Sequence, residues 1–166
     1  MDYLRRLDAT GYPLLIARLI VGLVFLFYGI EKVNDPIAFL KGIKNYDILP
    51  LEPSWLINSI AVIMPFTEIV CAMALLSGIG LRSAGAITSA MLLMFTPAVY
   101  FLGSGLIGSD PAFVGLCDVV ADCGCGSGEI PICQKLLENS CLLILSLWAT
   151  FSRATSFRGG LGGSSC

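Results

Sequence analysis

The chain has 166 residues, 56% of them hydrophobic and 13% charged, with a formal net charge of −2. Soluble domains carry about 25% charged residues, so the composition points away from a soluble enzyme, and the lack of any basic run removes nucleic acid as a partner. Histidine is absent. That excludes bis-histidine haem ligation, histidine general catalysis and His₂Cys₂ zinc sites.

The apolar residues fall into blocks long enough to cross a bilayer, which takes roughly 20 residues per helix. The first span is expected over residues 12–31, with Pro13 in its first turn and one internal charge, Arg18. It is too long for the apolar region of a signal peptide and lacks a small-residue cleavage site, so it reads as a span and not a leader. The connection that follows contains Asp35-Pro36 and then IAFLKGIKNY. Its Ile37, Phe39, Leu40 and Ile43 alternate with Lys41, Lys44 and Asn45, the pattern of a short helix lying on the membrane surface. The second span is expected over 55–77, with Glu68 inside it and Gly78 and Gly80 closing it. The third, 83–102, is uncharged, and Thr96-Pro97 predicts a kink near its end. A loop at 103–131 carries three of the seven cysteines, Cys117, Cys123 and Cys125. The fourth span, 132–152, is the shortest in apolar residues and requires Lys135 and Glu138 to reach the interface. The tail, 153–166, is rich in Gly and Ser and reads as flexible. The fold class is all-α: an integral membrane four-helix bundle, residues 1–152, with a short interfacial helix after the first span.

Arg5, Arg6, Arg82, Arg153 and Arg158 lie on one side of this topology, and Lys32, Lys41, Lys44 and Lys135 on the other. The arginines sit in the shorter segments, which favours cytoplasmic termini. The cysteine loop then faces outward from a bacterial inner membrane, into a compartment where disulfides persist.

Cys117, Cys123, Cys125 and Cys133 all fall in CDVVADCGCGSGEIPIC. A disulfide between Cys123 and Cys125 closes a small strained ring, and strain makes a disulfide more oxidising. Gly124, Gly126 and Gly128 leave room around the sulfurs, whereas Asp118, Asp122 and Glu129 disfavour thiolate formation. Cys117 or Cys133 is the candidate resolving partner. Two static disulfides bracing the loop are the alternative, and four cysteines allow three pairings. A four-thiolate metal or iron–sulfur site is a third reading, although C-x5-C-x-C-x7-C fits neither the common zinc spacing nor the ferredoxin ones; no metal ligand set is assigned. Cys71 and Cys141 lie within spans and read as packing residues. Cys166 has no expected role.

Ionisable groups inside a span are costly and usually paired. Arg18 and Glu68 are therefore expected to form an intramembrane polar pair, either a structural tie or part of a pocket for a substrate or quinone head group. Glu31 and Lys32, with Asn45 and Tyr46, are candidates for an outer pocket beneath the loop.

Three stretches carry a family resemblance: ARLIVGLVFLFYGIEKVNDPIAFLKGIKNYDILP, PFTEIVCAMALLSGIGLRSAG and DCGCGSGEIPICQKLLENSCLL. Across residues 14–147 the chain resembles the DoxX-like family of redox-associated membrane proteins, most closely its MauE branch. Arg18, Glu31-Lys32, Asn45-Tyr46, Glu68 and the CGC are the most specific positions. Many members read CGCFG, whereas this chain reads Cys123-Gly124-Cys125-Gly126-Ser127 and lacks the phenylalanine, and Cys117 and Cys133 are additions to that core motif. The resemblance implies a four-helix membrane protein associated with disulfide-rich partners, thioredoxin-like proteins or quinones.

The expected function is redox-associated, with an outward thiol/disulfide site that helps form disulfides in an exported partner or relays electrons to quinone. The alternative is a non-catalytic anchor or assembly subunit of a larger redox complex with a stapled docking loop. The expected partners are membrane lipid and a redox protein, thioredoxin-like or multisubunit. Quinone is the one cofactor the reading admits. As an enzyme the chain reads as a thiol-disulfide oxidoreductase or an accessory subunit of one.

Overall fold

The computed structural model describes residues 11–45, 53–109, 115–122 and 128–152. Cys123, Cys125, Tyr46, Cys166 and the tail lie outside the described residues. Five helices and two short strands follow in order: α1 (Tyr12–Asn34), α2 (Pro36–Asn45), α3 (Ser54–Ser77), α4 (Leu81–Ser109), β1 (Val120–Asp122), β2 (Glu129–Pro131) and α5 (Ile132–Phe151). Among the described residues four helices, α1, α3, α4 and α5, are long and apolar enough to cross a membrane. They form an all-α bundle in which α1 packs along α3 and α4 along α5.

Local sequence sets the helix ends. Gly11 takes a left-handed conformation, φ 73°, just ahead of Pro13 in the first turn of α1. Asp35 separates α1 from α2, and its Oδ1 accepts the Ala38 N–H at 2.9 Å, capping a helix that opens with Pro36. Gly78, φ 79°, ends α3 and donates its N–H to the Ala74 carbonyl. The tight turn 78–80 then sends α4 back alongside it.

Each spanning helix shows lipid an apolar face (Leu23 and Phe27 on α1; Ile63 and Val70 on α3; Leu93 and Met94 on α4; Ile144 on α5). The inward faces carry the small and polar residues, as membrane helices require for close packing. A Cβ on Gly22 would sit 2.9 Å from Leu76 Cγ, and one on Gly29 would sit 2.8 Å from Ile69 Cγ1 and 3.3 Å from the Pro65 carbonyl oxygen. These contacts fix the antiparallel register: Gly22 lies level with Ala72–Leu76, and Gly29 with Pro65–Ile69. Between α4 and α5, Gly85 lies against Ser146 and Thr150, and the buried Ser89 and Ser146 hydroxyls meet at 2.8 Å.

Two expectations change. The third span, α4, runs on to Ser109, well past residue 102, and passes through Pro97 without ending; proline is tolerated inside a membrane helix where neighbouring groups re-satisfy the backbone. The short helix α2 forms as expected, but Phe39 and Ile43 are buried against Ile57 and Ala61 of α3, so much of its apolar face meets protein. Ile37 remains exposed.

The α1–α3 register makes a prediction. Gly29→Val should destabilise the bundle by about 1–3 kcal/mol through overpacking, read as a lower midpoint of thermal unfolding in detergent. Gly105→Ala, where a Cβ meets nothing within 4 Å, should leave that midpoint unchanged or raised.

Candidate functional site

Two features stand out on the bundle: a disulfide-braced hairpin at one end and a buried ionic cluster beneath it. In the hairpin β1 and β2 pair antiparallel, with Val120 opposite Pro131, Ala121 opposite Ile130 and Asp122 opposite Glu129. Cys117, exposed in the turn before β1, is disulfide-bonded to Cys133 in the first turn of α5, with the Cα atoms 4.9 Å apart. The bridge closes the base of the hairpin. A second clamp lies beside it, where the Ile132 N–H bonds the Val119 carbonyl at 3.0 Å. Val119, Ile132 and Val99 of α4 are fully buried together. Gly103 permits this seat, since a Cβ there would come within 2.8 Å of both Ile132 and Leu116. The residues joining β1 to β2 carry Cys123 and Cys125 and lie outside the described residues.

The second feature lies where the four long helices meet. Lys32 near the end of α1 binds Glu68 of α3, Nζ to Oε1, at 2.5 Å, with both side chains under 5% exposed. The rings of Phe39 and Phe95 flank the Lys32 ammonium at 5.2 Å from each centroid. On the opposite wall Lys135 of α5 is 1% exposed, sits 4.0 Å from the centre of the Tyr28 ring, and bonds Glu138 Oε2 at 3.3 Å. Tyr28 donates its hydroxyl to Glu138 Oε1 at 2.6 Å. Between these two groups lies a cavity of about 30 Å³, to which every long helix contributes: Phe25, Tyr28 and Lys32 from α1, Glu68 from α3, Leu92 and Phe95 from α4, and Lys135, Asn139 and Leu142 from α5.

The structure corrects several sequence expectations. Glu68 does not pair with Arg18. One of its oxygens bonds Lys32 and the other has no hydrogen-bond partner. The reason is register: α1 begins well beyond the end of α3, so Arg18 stands level with the end of α3. That is about 15 Å from Glu68 at 1.5 Å per residue. Arg18 is nonetheless buried. Lys32 reaches Glu68 because side chains on a helix lean toward its N-terminus. Glu31 is exposed and turns away from Lys32, so the expected outer grouping of Glu31 and Lys32 separates. Asn45 is the last residue of α2. Lys135 does not snorkel to the interface; it points inward and is held by Glu138 and Tyr28.

Sequence reasoning missed Tyr28, Lys135, Glu138 and Asn139 as parts of one cluster. A signal was present. The buried residues of α5 are Ile132, Lys135, Asn139, Leu142, Ser146 and Ala149, alternating three and four residues apart. On a membrane helix a polar stripe at that spacing marks the face turned to protein.

A small-molecule pocket spans about 300–1,000 Å³, so the central cavity does not fit a quinone ring. A groove of about 380 Å³ between α3 and α4, lined by Leu56, Ser59, Ile60, Ile63, Met64, Thr67 and Met91, presents an apolar surface, and the Thr67 hydroxyl already donates to the Ile63 carbonyl. That groove suits a hydrocarbon tail, and the Ser59 hydroxyl lies along it.

These features define an integral membrane four-helix bundle with a disulfide-braced hairpin at one end and a buried ionic core. The profile of the family described as Methylamine utilisation protein MauE matches residues 10–111. That is more than half of the chain, spanning α1 to α4, and the protein belongs to the MauE family. No curated protein and no solved structure matches the chain.

The buried pair gives a direct prediction. Lys32→Met leaves Glu68 buried without its partner and should cost about 3–5 kcal/mol. Combining it with Glu68→Leu should recover more than half of that loss, as measured by unfolding in bicelles.

Proposed function

We propose that the protein is a redox-associated membrane component whose hairpin divides its four cysteines between two tasks. Cys117 and Cys133 hold the loop, while Cys123 and Cys125 exchange disulfides with a partner. One observation carries this reading: the Cys117–Cys133 bridge closes the base of a β-hairpin whose connecting residues include both cysteines of the CGC. With Cys117 and Cys133 committed to each other, the resolving thiol for Cys123 is Cys125, and the converse. The same pairing takes two ligands from a four-thiolate metal site and so argues against that alternative.

The exchange balances without a metal. A partner thiolate attacks one sulfur of the Cys123–Cys125 disulfide and forms a mixed disulfide, releasing the other cysteine as thiolate. A second partner thiolate then displaces the bound cysteine. The partner leaves oxidised by two electrons and the CGC is left as a dithiol. A second protein disulfide, on a thioredoxin-like or multisubunit redox partner, restores it by the reverse steps. No step is routed through quinone, because a partner protein's disulfide supplies the oxidising equivalents. The sequence order puts Arg5, Arg6, Arg82, Arg153 and Arg158 in segments expected on the side of the membrane away from the cysteine loop, which supports cytoplasmic termini in a bacterial inner membrane and an outward hairpin, where disulfides persist.

Cys125→Ser, which leaves Cys123 without its resolving thiol, should accumulate a mixed disulfide visible on non-reducing gels and lost on reduction. Cys117→Ser with Cys133→Ser should keep that trapping while lowering stability by about 3 kcal/mol, the value for a loop of this length. If neither Cys123→Ser nor Cys125→Ser traps any protein, the exchange reading fails and the stapled docking loop of an assembly subunit takes its place.

A further inference from the structure

The central cavity has chemistry that the hairpin function does not use. Its volume of about 30 Å³ exceeds the roughly 10–15 Å³ that one water needs. Its wall is not purely apolar. Glu68 is 2% exposed, and its Oε2 has no hydrogen-bond partner. Asn139, 4% exposed, lines the same space. A buried carboxylate oxygen left unsatisfied in a membrane costs several kcal/mol, so water at this position is strongly favoured.

The groups facing Glu68 are few. α1 presents Lys32 and Tyr28, α5 presents Lys135 and Asn139, α4 presents Leu92 and Phe95, and α2 closes over Lys32 with Phe39. The two ends of this array differ. Lys32 and Glu68 are sealed, whereas the Glu138 side chain is 30% exposed. Tyr28 joins the two ends, because it bonds Glu138 and also lines the cavity.

We propose that the cavity binds water and that this water completes a proton relay from Glu138 at the surface to Glu68 in the sealed core. Glu138, once protonated, donates its proton to the Tyr28 oxygen as the Tyr28 hydroxyl proton passes to a cavity water. That water gives one of its protons to Glu68 Oε2. Each transfer breaks one O–H bond and forms another, so a proton moves and no electron does. The relay is independent of the cysteines.

The test is infrared spectroscopy of the full-length protein in lipid nanodiscs. The carboxylic-acid band of Glu68 is identified by its loss in Glu68→Gln, and its exchange is timed after a jump into D₂O at low pH. Tyr28→Phe breaks the chain at the hydroxyl with little change of shape, and Asn139→Leu makes the cavity dry. Each should slow exchange by about tenfold or more, the order expected when one hydrogen-bonded link is lost, while Glu31→Gln on the exposed face leaves it unchanged. The proposal is overturned if Tyr28→Phe and Asn139→Leu both exchange at the wild-type rate, or if no band lost in Glu68→Gln appears as pH falls. Circular dichroism of each variant separates a broken relay from a broken fold.

Discussion

The Lys32–Glu68 pair is the constraint around which the bundle is organised. Each charge would be prohibitively expensive facing lipid, and together they are tolerable only where α1 and α3 meet closely. Gly22 and Gly29 make that approach possible, since side chains at either position would strike α3. The second ionic group, Lys135 with Glu138 and Tyr28, ties α5 to α1 in the same way. The fourth helix needs no charge. It completes the enclosure with Leu92 and Phe95 and is held to α5 by the small residues Gly85, Ser89 and Ser146. Apolar packing alone distinguishes poorly between helix arrangements in lipid; the buried charges specify which faces turn inward.

That core sits directly beneath the hairpin. Lys135 and Cys133 are one turn or less apart on α5, so the helix that places an ammonium in the core also anchors the loop disulfide. Val99, Val119 and Ile132 form an apolar seat between them. The hairpin is therefore not a free loop. It is clamped at its base by a disulfide, a backbone hydrogen bond and a buried apolar contact.

Much of the fold was legible in the sequence, since four apolar blocks admit few arrangements. The amphipathic pattern of Phe39 and Ile43 announced α2, and glycine and proline punctuated the helix ends. The partner of Glu68 was not legible. Helix register depends on where Gly22 and Gly29 let α1 slide against α3, which is a property of the packed pair and not of either helix alone. The inward turn of Lys135 was misread because long basic side chains near a helix end often reach water; here the Tyr28 ring and Glu138 supply a buried site instead. The hairpin was also missed. Three-residue strands carry too little alternation to be seen, and the pairing of Cys117 with Cys133 is fixed by the fold and not by spacing.

The division of the cysteines is the centre of this account, and differential alkylation with mass spectrometry tests it most directly. Full-length protein in native membranes is exposed to graded mild reductant, trapped with one alkylating reagent, then fully reduced and labelled with a second. The account predicts that Cys123 and Cys125 take the first label together at low reductant, while Cys117 and Cys133 remain joined to each other and take only the second. Cross-pairing of Cys117 or Cys133 with the CGC, or release of all four thiols at the same reductant strength, would contradict it.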